Sequence, residues 1–166
     1  MVVVVLGHYA QDIGAALQDL PVHTLLNPRP DDGLVSSQRL GLQAVPETSA
    51  GVLMMLADQP LLDADDIRTL QMQFATRAAG IDMVFPKVGD EPVNPVMLSA
   101  TARAAILAQG PDFGCKEWRQ THKGQVQAFA SVNTHYTMDL DQLDDLTLFT
   151  QRTGRQLTWP PAWALE

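Results

Sequence analysis

Val2 to Leu6 is a β-branched and aliphatic run with no polar position on either face, closed by Gly7. That is the pattern of a strand buried on both sides, as in a parallel sheet. Helical character extends from Gln11 to Leu20, where Pro21 stops it, and Val22 to Leu26 reads as a second strand ahead of the polar, proline-rich loop Asn27 to Gly33. Leu40, Leu42 and Val45 predict a helix after that loop, and Gly51 to Leu56 reads as a third buried strand. Asp63 is a good N-cap for a helix whose apolar face is Ile67, Leu70 and Phe74 and whose expected end is Gly80. Met83 to Phe85 and Val96 to Leu98 are short strands, Ser99 caps an alanine-rich helix to Gln109, Gly114 to His122 is one more helix, and Gln125 to Ala130 supplies a later strand.

Strand and helix alternate throughout, and no internal repeat is visible. The order predicts a three-layer α/β/α domain with a mostly parallel sheet over residues 1–150. Near residue 150 the periodicity dissolves into a tail, 151–166, whose Trp159, Pro160, Pro161 and Trp163 cannot continue a helix. This tail is expected to pack on the domain surface or on a partner.

The length of 166 residues and the 46% apolar content fit one domain with a real core. Eleven Lys and Arg against nineteen Asp and Glu give a net charge of −8, which argues against nucleic acid as the main partner. The longest apolar runs fall far short of the roughly 20 residues that a bilayer span needs, so neither a membrane span nor a secretion signal is expected. Cys115 is the single cysteine, which fits a cytoplasmic location.

Leu56-Ala57-Asp58-Gln59-Pro60 places a carboxylate just beyond a buried strand, where open α/β sheets bind ligands. Asp58 is therefore a candidate ligand for magnesium beside a nucleotide, or else the cap of a turn before Pro60. In Met138 to Leu146 a short extended stretch turns into a helix; alternation puts Asp139 and Asp141 on one face, where Asp141 could share a metal with Asp58. Asp144 and Asp145 suit the helix start or a solvated face. Gly33, Ser36 and Ser37 precede a helix whose free N–H groups could hold an anion or the edge of a base, although Ser36 could equally be an N-cap. Lys116, Arg119 and Lys123 form a basic stripe, suited to a phosphorylated substrate or simply to solvent. His8, His23, His122 and His135 show no metal-ligand spacing and read as structural or solvent-facing, and Cys115 reads as a small buried side chain in preference to an activated thiol.

Together these segments resemble the molybdenum-cofactor nucleotidyltransferases, especially the cytidylyltransferase branch related to the molybdopterin-guanine dinucleotide synthases. Val2 to His8 resembles the family's second strand and its G-H turn. Gly33 to Leu42 resembles its G-M-x-S-S-L-x-x-G-L segment, and Leu56 to Pro60 its L-A-D-Q-P metal motif. Asn94-Pro95-Val96 is similar to its G-N-P-V, with Val93 for the glycine; Gly110 to Lys116 is similar to its G-D-x-G-x-R loop, with Pro111 inserted and lysine for arginine. Asp139 to Leu146 is similar to its D-I-D-T-P-E-D-L, without the Thr-Pro pair.

The resemblance implies a Rossmann-like fold of the nucleotide-diphospho-sugar transferase type and transfer of a nucleotide from CTP or GTP to a molybdopterin-type acceptor. It implies magnesium on Asp58 and Asp141, Lys116 near a phosphate, Gly33, Ser36 and Ser37 near base or ribose, and Asn94 near the pterin, while Arg119 continues the basic stripe toward the substrate. The family's glycine-rich first loop, L-A-A-G-x-S-x-R-M-G-x-x-K, has no counterpart in the sequence, so the fold is expected to be N-terminally truncated and weak in catalysis by itself. Val2 to Leu6 is then expected to offer an open edge, covered by the tail, a second copy or a protein partner. A noncatalytic pterin- or protein-binding relative and a sugar-phosphate nucleotidyltransferase are the rival readings.

Overall fold

The structure, a computed structural model, describes residues 1–157. Strand β1 (Val3–Leu6) leads through helix α1 (Ala10–Leu17) to β2 (His23–Leu26), and the two strands pair in parallel. Helix α2 (Leu34–Ala44) then crosses to β3 (Gly51–Met54), and α3 (Ala64–Ala75) to β4 (Met83–Val88). A tight turn at Gly89, φ 59°, folds the two-residue strand β5 (Glu91–Pro92) back on β4. Strand β6 (Val96–Ser99) therefore runs antiparallel between β3 and β4. Helices α4 (Ala100–Leu107) and α5 (Cys115–Thr121) lead to β7 (Val126–Ser131), which returns parallel to β4, and α6 (Leu143–Thr153) carries regular structure past residue 150.

The helices cover both faces of the larger sheet because its strands alternate. Met83, Phe85, Val96 and Leu98 face a core shared with Leu42 of α2, Ile106 of α4 and Trp118 of α5. Val84 and Met97, one step out of phase, face Leu70 and Phe74 of α3 on the other side. The α/β class read from the sequence holds.

A mostly parallel sheet does not. β1 and β2 form a two-stranded sheet of their own, and in the five-stranded sheet β6 and β5 run against β3, β4 and β7. The Gly89 turn is the cause: a tight hairpin reverses the chain where a crossover helix would have kept it parallel. Val3 to Val5 are half-buried, not buried, because among the described residues β1 has a ladder partner along one edge only. The Trp159 to Trp163 segment expected to cover the other edge lies outside the described residues.

The helix caps follow chemistry that is visible in the chain. Asp63 accepts from the N–H groups of Asp65 and Asp66, while Asp66 accepts from the Asp63 N–H at 3.0 Å, a reciprocal capping box. Ser99 Oγ accepts from the Ala102 N–H at 3.0 Å. Helix α3 ends at Ala75, short of Gly80, because Arg77 turns back over the Phe74 ring and donates to the Phe74 carbonyl at 2.7 Å.

Two other arginines join α2 to α4. Arg39 donates to the carbonyls of Ile106, Leu107, Gln109 and Phe113 at 2.7–3.1 Å, closing the C-terminal end of α4. Arg103, buried on α4, donates to Leu42 at 2.8 Å, to Pro46 at 3.0 Å and to Val45, closing the C-terminal end of α2. Removing the guanidinium strands buried carbonyls, each costing about 1–3 kcal/mol when left unpaired. Arg103→Ala is therefore expected to lower the urea midpoint strongly, and Arg103→Lys, with one donor centre for three carbonyls, to recover only part. Equal midpoints for wild type and Arg103→Ala would show that water replaces the guanidinium without cost.

Candidate functional site

Strands β3, β4 and β7 point the same way and β6 points against them. The C-terminal ends of β3 and β7 and the N-terminal end of β6 therefore share one sheet edge. Asp58 lies just past β3, Asn94 just before β6, and Asp139 and Asp141 in the connection from β7 to α6, so all four reach that edge.

The connection after β3 and the one after β7 are laced together. The Leu140 N–H donates to the Asp58 carbonyl at 2.9 Å, and buried Gln59 donates through Nε2 to the Tyr136 carbonyl at 3.0 Å. This brings Asp139 and Asp141 into electrostatic range of the Asp58 carboxyl. Its pKa is raised above the ordinary 3.8, first by burial and then by Asp139, with a smaller push from Asp141 and an opposing hydrogen bond from its own backbone. Asp58 Oδ1 is buried and finds no hydrogen-bond partner among the described residues.

A buried carboxylate oxygen without a donor, in the field of further carboxylates, is destabilising by itself, and a hard divalent cation would relieve it. The donor set fits magnesium, which takes one or two carboxylates and completes its shell with water or phosphate oxygens. Of the two acids, Asp139 raises the Asp58 carboxyl more than Asp141 does.

On the same edge, a cleft of about 170 Å³ is lined by Asn94, Lys116 and Arg119 together with Leu34, Gln38 and Cys115. Three of the residues singled out in the sequence thus meet at one place. Arg119 lies 5.0 Å from the Phe85 ring centre, a cation–π contact that orients the guanidinium. The first turn of α2 opens on the cleft through Leu34. Gly33 is its N-cap at φ 84°, a conformation that side chains disfavour. A Cβ on Gly114 would come within 2.8 Å of Gln38 Oε1, so that glycine lets α2 and α5 approach.

Ser36 is not the N-cap of α2 but lies in its first turn. Its Oγ accepts from Asn27 Nδ2 at 2.8 Å and faces the Gly33 carbonyl at 2.8 Å, and Ser37 Oγ accepts from the same Asn27 amide at 3.0 Å. Both hydroxyls thereby hold the buried Asn27 under the end of β2. Cys115 is buried and its thiol is pushed up to about 12, by burial first and by Glu117 second, so it is no thiolate nucleophile. Asp145 serves the α6 start, accepting from the N–H groups of Asp141 and Gln142 at 2.9 and 2.7 Å.

Sequence spacing misses a second cluster. Asp63, Asp66 and His135 bring one ligand-type atom each within 4.8 Å of one another, with His135 Nδ1 2.9 Å from Asp66 Oδ2. Asp66 and His135 are 69 positions apart, and no local pattern connects them.

The strand order defines an α/β protein in which acidic side chains and a cationic cleft lie at the ends of the larger sheet. Residues 1–126 match the family described as the MobA-like NTP transferase domain, and the chain belongs to that family. No curated protein matches it. Among solved structures, a nucleotidyl transferase from Methanothermobacter (Mth528) shares 18% identity at TM-score 0.72, covering 90% of this chain and 71% of its own. Rv0371c from Mycobacterium tuberculosis H37Rv, in complex with manganese, shares 21% identity at TM-score 0.68 over 90% of this chain and 76% of its own. The molybdopterin-guanine dinucleotide biosynthesis protein A of Archaeoglobus fulgidus shares 14% at TM-score 0.63, over 92% and 78%. These likenesses establish the fold. Among the described residues no helix is long and apolar enough to cross a membrane.

Because the folded Asp58 binds its proton more tightly than the unfolded chain does, its contribution to stability is fully present below pH 3.8 and lost as pH rises through the raised value. At pH 7 without metal, Asp58→Asn is expected to melt above wild type, with the gap closing toward pH 4. Adding manganese should raise the melting point of wild type alone. A variant that melts lower than wild type at every pH would refute the strain assigned to Asp58.

Proposed function

We propose that the chain is a magnesium-dependent nucleotidyltransferase that uses CTP or GTP and a molybdopterin-type acceptor carrying a terminal phosphate. The observation that carries this reading is the unpaired Asp58 oxygen beside Asp139 and Asp141, on the sheet edge that also bears the Asn94, Lys116 and Arg119 cleft. A phosphate oxygen of the acceptor bonds to the nucleotide α-phosphorus, the α–β bridging bond breaks, and pyrophosphate leaves with the electron pair. Asp58 with Asp141 or Asp139 would hold a magnesium ion, which would supply positive charge where the phosphates crowd together. Manganese in a relative of the same fold supports a divalent ion in this role.

Lys116 and Arg119 hold phosphate charge in the cleft, and Asn94 orients the acceptor by hydrogen bonding. Gly33, Ser36 and Ser37 shape the first turn of α2, against which the base or ribose rests. Catalysis is then positioning and charge stabilisation, with no covalent intermediate. A second copy or a partner protein along the open edge of β1 belongs to the same reading, as does a cytoplasmic location.

Residues 1–166 themselves contain no glycine-rich strand-to-helix turn to wrap a triphosphate, so transfer by these residues alone is expected to be slow, and a binding module is the alternative that the experiment must separate. Losing one preorganised donor costs about 100- to 1000-fold in rate. The 166-residue chain is accordingly expected to bind magnesium-CTP or magnesium-GTP weakly and to release pyrophosphate very slowly. Fusing a relative's glycine-rich strand and loop ahead of Met1 should raise cytidylyl or guanylyl transfer to molybdopterin, and Asp58→Asn should abolish the gain. Pterin binding that is indifferent to nucleotide and metal, with no transfer in the fusion, decides for the binding module.

A further inference from the structure

Asp66 is 4% exposed, yet it belongs to neither the cleft nor the Asp58 cluster. Its carboxylate takes three hydrogen bonds: from the Asp63 N–H at 3.0 Å, from His135 Nδ1 at 2.9 Å and from Asn133 Nδ2 at 2.5 Å. The Asp66 carbonyl accepts a fourth from the Tyr136 hydroxyl at 3.3 Å. Capping α3 uses only the first of these. The other three reach across to the turn at Thr134–Thr137, inside the connection that carries Asp139 and Asp141.

Other contacts hold the same connection farther along: Tyr136 and Met138 are each 2% exposed, Gln59 donates to the Tyr136 carbonyl, Leu140 donates to the Asp58 carbonyl, and Arg152 reaches the Met138 sulfur at 3.7 Å. Its first part has no such burial, since Val132 is 96% exposed, and there Asn133 braces the turn internally, its Oδ1 accepting from the His135 N–H at 3.0 Å. Asp66 is thus the buried anchor for the start of the connection that leads to Asp139 and Asp141. The cluster is a poor cation site in its own right, because the ligand-type atoms of Asp66 and His135 already bond to each other.

We propose that Asp66, with His135 and Asn133, is a positioning clamp for the carboxylates of the metal site. It acts through the 132–142 connection and makes no contact with metal or nucleotide. The inference rests on the metal reading proposed above. It predicts that loosening the clamp weakens metal binding without removing a ligand, as outer-shell partners do elsewhere, typically by 10- to 100-fold.

The test uses the full chain and manganese alone as probe, followed by electron paramagnetic resonance, with amide exchange at Leu140 as a readout independent of metal. Asp58→Asn first establishes the site by abolishing binding. His135→Ala and Asn133→Ala are then expected to weaken manganese binding about tenfold and to speed Leu140 exchange, with helical content unchanged. His135→Gln, whose amide can donate to Asp66, should recover most of both effects, a rescue that a packing role would not give. Unchanged manganese affinity and unchanged Leu140 exchange in His135→Ala would overturn the clamp while leaving the metal site intact. Binding lost in His135→Ala but kept in Asp58→Asn would overturn both, placing the ion on Asp63, Asp66 and His135. A wild type that binds no manganese overturns the metal reading, and the clamp with it.

Discussion

The reciprocal capping of α2 and α4 by Arg39 and Arg103 is the constraint on which the arrangement of the site depends. Among the described residues β1 and β2 share no ladder with the larger sheet, so the two sheets are held together through the layer above them. Helix α2 is that layer: Gly41 packs against Val5 of β1, while Leu42 lies in the core of the larger sheet. Each arginine sits within its own helix and satisfies the last carbonyls of the other, where orphan acceptors and the negative end of the dipole both call for a cation. Arg39 also holds the Phe113 carbonyl, which places Gly114 and the start of α5 against Gln38. The cleft between α2 and α5 follows from that bond.

Asp58 and Asp66 show how identical side chains come to opposite ends. They lie on the connection and helix that follow β3, Asp66 buried and Asp58 half-buried with its Oδ1 out of water. Asp66 receives a donor at every turn and is settled in the structure, whereas Asp58 has a buried oxygen with nothing to accept from and two acids beside it. A protein interior tolerates the first arrangement readily and the second only with an energetic penalty. The asymmetry singles out Asp58 where acidity itself does not, since nineteen acids are scattered through the chain.

Much of this was legible in the sequence because apolar periodicity and capping are local. The runs at Val2, Gly51 and Met83, the caps Asp63 and Ser99, and Asp58 just past a strand all stand where the pattern puts them. The reversal at β6 was signalled by Val88-Gly89-Asp90-Glu91, a glycine-aspartate pair between extended residues of the kind that makes hairpins, but two-residue β5 was too short to show alternation. Ser36 resembled an N-cap, yet Gly33 begins the helix, because the buried Asn27 captures both serine hydroxyls. The clamp of His135 on Asp66 had no signature at all. It depends on β7 returning beside β4, a tertiary fact that no window of sequence contains.

The charge pattern gives the cleft its selectivity. In a chain of net charge −8, Arg39, Arg77 and Arg103 are held by backbone carbonyls, while Arg29, Arg68 and Lys87 pair with Asp32, Asp65 and Asp90. Lys116 and Arg119 line the cleft instead. An extended polyanion meets repulsion over most of such a surface, since interactions beyond about 8–10 Å are screened and the near field is acidic. A compact anion that fits within the cleft does not meet that repulsion over its whole length. Under the reading proposed above, a divalent cation carried by that anion would also relieve the Asp58 carboxyl, so the acidity of the whole chain and the basicity of one cleft would favour a small metal-bound anion over a polymer.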